Sequence, residues 1–199
     1  MPKLYRRTKN LIIRPLEPKD YKAWRAGKLT CHPRMNQWDE GRREERELTR
    51  ARFQKVINHT RKLRREDRFY DLKIFERKTG ATVGGVHLME VTRGISQTCF
   101  LGYYLYNNYW GRGWAKEAVK AALDIGFKDL KLHRIEAGIE PSNRRSLKLA
   151  RSLNMRREGV KKRAIHLRGR WVDLVMYTLT TEDVRLKFRG KIGSRVSRR

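Results

Sequence analysis

The chain is poor in cysteine, in acidic residues and in long apolar runs, and each scarcity excludes something. Its 199 residues include only two cysteines, Cys31 and Cys99, which lie far apart and show no metal-ligand spacing. A disulfide framework or a cysteine-built metal site is therefore not expected, and the pattern fits a reducing, cytoplasmic setting. Cys99 falls in a strand-like stretch, where a buried small hydrophobe is its default role. Asp and Glu number 21 against 49 Lys and Arg, an imbalance that argues against cationic substrates such as aminoglycosides or polyamines. No apolar run approaches the ~18 residues of a membrane span. The basic N-terminus also lacks the apolar segment of a signal peptide.

What is present is positive charge and an α/β pattern. A formal net charge of +28 attracts polyanions, with nucleic acid or the ribosome surface the obvious class and a solubility adaptation the alternative. The surplus is densest at the end. Residues 185–199 carry seven Lys or Arg, no acidic residue, Gly190, Gly193 and two serines. Such a tail cannot bury enough apolar surface to order itself alone, and it is expected to be disordered when free and to contact ribosome or RNA. Residues 1–184 are long enough for one domain with a substantial core.

Along that domain, Leu11 to Leu16 reads as a strand near a sheet edge, because Pro15 ends its ladder donors. Pro18 starts a helix with Tyr21 and Trp24 on its face, and Lys28 to Gln37 is loop. Glu40 to Arg65 reads as one amphipathic helix with an incomplete stripe of Leu48, Phe53, Val56, Ile57 and Leu63. Tyr70 to Glu76 and Ala81 to Val91 alternate as strands about Lys78-Thr-Gly80. Within the second, Gly84-Gly85 marks a bulge or a close backbone approach. Arg134 to Glu140 is a strand, Asn143 to Leu153 a helix capped by Ser142 or Asn143. Met155 to Val160 and Trp171 to Leu179 are the last strands, joined through Arg168-Gly-Arg170.

The chain is organised around Thr98 to Leu130. A strand to Leu105 runs into Gly111-Arg112-Gly113, and a helix follows from Trp114, with Ala115, Ala118, Val119 and Ala122 at i, i+3, i+4 and i+7. Glycines let a ligand approach the backbone closely, and free N–H groups at a helix N-terminus suit a phosphate or pyrophosphate. Lys116 stands where a dinucleotide fingerprint needs its third glycine, and no Gly-Lys-Ser/Thr follows as in nucleotide triphosphatases. With Arg134 to Glu140, the segment forms a strand-helix-strand crossover.

Leu101-Gly-Tyr-Tyr-Leu and Tyr109-Trp-Gly-Arg-Gly-Trp-Ala-Lys-Glu-Ala resemble the acyl-CoA motif of the GCN5-related N-acetyltransferases, GNAT. More narrowly they resemble the branch that acetylates ribosomal-protein N-termini. The resemblance continues through Leu132-His-Arg-Ile-Glu-Ala, Pro141-Ser-Asn-Arg-Arg-Ser146, Arg157-Glu-Gly159 and Gly169-Arg-Trp-Val-Asp173, and opens at Leu11-Ile-Ile-Arg-Pro-Leu16. It implies a mixed, partly parallel twisted sheet splayed at the acetyl-CoA site, with helices on both faces and no metal. It implies that backbone amides of Gly111, Arg112, Gly113, Trp114 and Ala115 cradle the pyrophosphate, and that acetyl-CoA also meets Tyr104, Leu105 and Tyr106 at the strand end. Asn108 departs from the Gln or Arg common in the superfamily, at little cost where backbone makes the bonds. The first two helices and their loop, here with Trp38, Asp39 and Glu40, would wall the acceptor cleft.

Acetyl transfer to an amine needs a neutral amine, an oxyanion donor and a proton for the leaving thiolate. The resemblance implies direct attack, a backbone donor near Tyr104 and Leu105, and Ser146 of Asn143-Arg-Arg-Ser146 as the acid. The spacing of Ser146, Leu149, Ala150 and Leu153 turns Ser146 inward, where a packing role is the bland alternative. Asn143 would hold the pantetheine arm or cap its helix. No glutamate stands near Ile165 and His166, where some relatives carry the base, which leaves His166, Glu136, Glu140, Glu90 or a water chain. A peptide α-amine, with a pKa near ~8 against ~10.4 for lysine, makes little demand on a base. The reading is acetyl transfer from acetyl-CoA to a protein N-terminal α-amine, most plausibly of a ribosomal protein. Its alternatives are another amine, or a non-catalytic scaffold that binds ribosome or nucleic acid.

Overall fold

The computed structural model describes residues 2–190 and 192. Eight strands form one sheet in the order β1-β2-β3-β4-β5-β6-β8-β7. They are β1 (Arg6–Arg7), β2 (Leu11–Arg14), β3 (Phe69–Glu76), β4 (Thr82–Thr92), β5 (Thr98–Leu105), β6 (Arg134–Ile139), β7 (Arg156–Leu167) and β8 (Arg170–Thr180). All neighbours are antiparallel except β5 and β6. Helices α1 (Tyr21–Leu29) and α2 (Arg50–Arg65) cover one face, α3 (Trp114–Asp124) and α4 (Arg144–Ser152) the other.

The larger core lies under α3, where Ala118, Val119 and Ala122 pack on Leu72, Val86, Leu88 and Leu101. A smaller core joins Trp24, Leu48, Phe53 and Ile57 to Phe75. Small residues on α3 bring the helix axis close to the sheet, while α2 presents a narrow aromatic and aliphatic stripe beneath a basic outer face. Cys31 and Cys99 are both buried and free.

The strand β5, helix α3 and strand β6 form the expected parallel crossover. Beyond Asp124 the helix continues as a π-helical turn, Ile125–Asp129. Gly84 is a site of close approach: a Cβ there would lie 2.3 Å from the Tyr104 carbonyl oxygen. The β3–β4 register also shifts there: Ile74 pairs with Gly84 and Phe75 with Thr82, so Val83 is an extra residue in β4 beside Gly84.

Three expectations change. The helix expected from Glu40 begins at Arg50, because Thr49 takes extended backbone and its side chain accepts from the Arg52 N–H at 3.2 Å. Residues 40–48 are loop with a short 3-10 turn, Glu45–Glu47. Strand β7 runs to Leu167, well past Val160, because pairing with β8 orders a segment whose Lys161-Lys-Arg run hides alternation. Packed chain also extends past the boundary expected at Arg185. Leu186 rests on the main core, and Phe188 meets His133 edge-on at 5.8 Å. The rest of the expected tail, residue 191 and residues 193–199, lies outside the described residues. Among the described residues no helix is long and apolar enough to cross a membrane.

Candidate active site

The site is built where the sheet stops being a sheet. Strands β5 and β6 pair only through Thr98, Cys99 and Phe100 against Arg134, Ile135 and Glu136. Beyond that short ladder they diverge, and the last five residues of β5 have no partner on that side. The Tyr106 N–H donates to Val83 at 2.9 Å, which fixes the alternation. Tyr104 turns its main chain toward β4, and Leu105 turns its own into the gap. The Leu105 carbonyl is taken by the Trp110 indole N–H at 2.9 Å, which leaves its N–H as the donor facing the opening.

The glycine loop follows at once. Gly111 and Gly113 have φ of +80° and +75°, and a Cβ on either would meet nothing within 4 Å. Their conformation demands glycine while crowding does not, so the loop presents an open cradle of main chain. Gly113 is the N-cap of α3 and no side chain caps that helix, so the first-turn N–H groups of Trp114 and Ala115 remain available. Tyr109 stacks on Trp114 at 5.7 Å beneath the loop. The Arg112 guanidinium lies over both rings, at 5.2 and 4.9 Å, adding a fixed positive charge beside the amides. These groups fit a pyrophosphate.

Across the gap, Asn143 caps α4, its Oδ1 accepting the Ser146 N–H at 3.2 Å. The cap holds Ser146 in the first turn, where its carbonyl accepts from the Tyr103 hydroxyl at 3.4 Å. Its own hydroxyl lies by the same Tyr103 phenol, whose pKa burial raises and the serine hydroxyl lowers. Tyr103 comes from β5 and Ser146 from α4, so this contact spans the two sides of the gap. Burial pushes the Cys31 thiol up to about 11 and the Cys99 thiol higher still. Neither cysteine is set up as a nucleophilic thiolate, which agrees with direct attack.

A family model, the acetyltransferase (GNAT) domain, matches residues 10–156. The chain belongs to the GNAT acetyltransferases. It is 27% identical over 175 residues to the probable N-acetyltransferase YjcK of Bacillus subtilis, covering 88% of this chain and 96% of that protein. It is 28% identical over 185 residues to the ribosomal protein uS5-alanine N-acetyltransferase of Escherichia coli, covering 92% and 94%. In fold it is similar to Mycobacterium smegmatis RimJ in complex with CoA-disulfide, with a TM-score of 0.75, 24% identity and coverage of 92% and 90%.

Within this GNAT frame, the α1–α2 loop is tied down beside the end of β5. Asn107, in the turn before the glycine loop, clamps it: the Asn107 side chain accepts from the His32 N–H at 2.8 Å and donates to the His32 carbonyl, the Pro33 carbonyl and Asp39 Oδ2 at 3.0, 3.1 and 2.8 Å. A second tie crosses the mouth of the gap. Glu140, at the end of β6 and only 6% exposed, accepts from the Trp38 indole at 3.1 Å and from Arg168 at the tip of the β7–β8 hairpin. Tyr106 packs its ring toward Gly27 and Lys28 of α1, away from the glycine loop.

The remaining base candidates are dispersed. Glu136 sits at the closed end of the gap, opposite Phe100, with Arg134 Nε at 2.5 Å. Phe100 is five residues short of Leu105, roughly 16 Å along a strand. His166 is exposed on the hairpin against Trp171, and Glu90 is exposed at the far end of β4. Sequence reasoning missed a buried charged group on the sheet: Asp71 and Lys73 of β3 with His87 of β4 and Tyr104 of β5. The signal was Asp71 and Lys73, two charges at alternate positions among the apolar residues of Tyr70 to Phe75, while no local pattern singles out His87.

Proposed function

We propose that this GNAT enzyme transfers acetyl from acetyl-CoA to the N-terminal α-amine of a protein, with a ribosomal protein as the acceptor class. The observation that carries the transfer chemistry is the opening between β5 and β6, flanked by the glycine loop and by Ser146. Amides of residues 111–115 would hold the pyrophosphate. The Leu105 N–H would receive the developing oxyanion, a role worth several kcal/mol in acyl transfer. The Ser146 hydroxyl would give a proton to the departing sulfur, and Asn143 keeps that serine in place.

The acceptor class rests on three supports. The Escherichia coli relative that spans most of this chain acts on a ribosomal-protein alanine. A net charge of +28 disfavours polycationic acceptors and suits one carried on a polyanionic particle. An α-amine is also easier to deprotonate than a lysine.

Thiol release from acetyl-CoA, followed with peptides beginning in Ala or Ser, an N-blocked lysine peptide and spermidine, tests the reading. Turnover is expected on the free α-amine peptides. Ser146→Ala is expected to lower kcat about 100-fold or more with acetyl-CoA affinity kept. Turnover confined to lysine or spermidine would overturn the acceptor assignment.

A further inference from the structure

On the α1 and α2 face of the sheet, beside the gap, lies a cleft of about 260 Å³ lined by Lys28, Glu40, Lys73, His87 and Tyr104 among others. Its floor is the buried charged group. Asp71 Oδ1 accepts from Lys73 Nζ at 2.8 Å and lies 3.1 Å from His87 Nδ1. That second contact has ion-pair distance without the direction of a good hydrogen bond, and Nδ1 is sealed from solvent. Lys73 also donates to the Tyr104 hydroxyl at 3.3 Å. The His87 ring is stacked between Phe69 and Tyr104, at 5.4 and 5.7 Å. Ring stacking on both sides and a carboxylate at Nδ1 fix the imidazole, and Nε2 is the nitrogen left for a ligand.

We propose that His87 is the base that takes the acceptor's proton, with Asp71 as its positioning residue and Lys73 holding Asp71. The charged and titratable groups that face the cleft around it are Asp71, Lys73, Tyr104, Lys28, Glu40, Arg43, Glu47 and Arg52. Arg43 and Arg52 are guanidinium cations without a lone pair, and the Lys73 amine is engaged by Asp71 and Tyr104. Glu40 lies 3.7 Å from Lys28 and 3.5 Å from Arg43, and Glu47 lies 3.6 Å from Arg52. Tyr104 keeps its proton, because burial raises its pKa. Lys28 sits against the Trp24 and Tyr106 rings, each 5.8 Å away, and is the rival. An imidazole ionises near neutrality and combines availability with basicity.

The proton balance is simple. The acceptor arrives as an ammonium and gives one proton to His87, which returns it to solvent. The neutral nitrogen forms the C–N bond, the C–S bond breaks, and the second amine proton matches the one delivered to sulfur.

The assignment rests on the acetyl-transfer reading but on no particular acceptor. His87→Gln, His87→Ala and Lys28→Met are compared with wild type on whichever of the three amine classes wild type acetylates best. Acetyl-CoA affinity, measured by calorimetry, is expected to be unchanged in both His87 variants. Wild-type kcat/KM is expected to show the acceptor's own ionisation and a second one. His87→Gln is expected to lose the second and to fall about 100-fold, and added imidazole is expected to restore part of the rate to His87→Ala. A His87→Gln profile with both ionisations and a rate within twofold of wild type overturns the proposal. Loss of the second ionisation in Lys28→Met alone does the same. Wild-type turnover of lysine or spermidine in place of α-amine would sink the acceptor reading and leave the His87 comparison intact on that amine.

Discussion

Gly113 shows how one residue can be required for backbone shape alone. Its φ of +75° lies in the left-handed region, yet no atom crowds the place of a Cβ. Gly113→Ala therefore adds strain of about 1–2 kcal/mol in the bound geometry without a steric clash. Calorimetry is expected to show acetyl-CoA binding weakened by roughly 5- to 30-fold, with kcat at saturation much less affected. This residue was legible in the sequence, because a glycine pair between a strand and a helix has few other uses. Asn143 was half legible, since capping and ligand binding ask for the same side chain, and the structure gives the cap. His87 was not legible. Its partner Asp71 is on the neighbouring strand, and the register His87↔Asp71 that joins them is a property of the hairpin rather than of any local pattern.

Among the elements, the α1–α2 loop depends most on a single contact set. Asn107 and Asp39 are both buried, and the four hydrogen bonds of the Asn107 side chain join this loop to the turn that starts the glycine loop. Asn107→Ala removes one of the three donors on buried Asp39, which keeps the Met35 and Gly41 N–H groups, and breaks the ties to His32 and Pro33. Chemical denaturation is expected to show a loss of about 1–3 kcal/mol. Hydrogen exchange should rise across residues 30–44 ahead of the sheet, and acceptor KM should rise more than acetyl-CoA KM. The sequence showed the existence of nearly every element but misjudged two extents, for opposite reasons. Charge-rich residues 40–48 add only Leu48 to the helical stripe, and Thr49 separates them from it by capping the helix that follows. Lys161-Lys-Arg163 satisfies no strand pattern, but β8 supplies the pairing.

At the scale of the molecule, the few carboxylates are outnumbered, and several are held in place by cations. Glu158 is hydrogen-bonded first by Arg134, with burial opposing, then by Arg156 and Thr178, and is pulled down to about 2. For Asp20, Asp67 and Asp124, burial pushes upward and is outweighed by Arg14, by Arg93, and by Lys128 with Arg6. Asp71 is held low against burial by Lys73 and His87. Groups whose folded pKa lies below the unfolded value of about 4 stabilise the fold above that value and lose the contribution as pH falls through the folded pKa. The urea midpoint is therefore expected to be level from pH 7 to about 5 and to fall steadily from about 4.5 toward 2.

The sheet also has a history built into it. The β1–β2, β3–β4, β4–β5 and β7–β8 pairs are hairpin neighbours that can zip locally at little entropic cost, whereas β2–β3 (Leu11↔Glu76) and β6–β8 (Arg134↔Thr180) join distant parts of the chain. The three-rung parallel ladder between β5 and β6 is also non-local, because the whole of α3 crosses over between its strands. During refolding, then, the hairpins are expected to form first and the non-local ladders, the β5–β6 join among them, to follow. Catalytic competence is born with that join, because the opening that receives the thioester exists only once both sides are present to frame it.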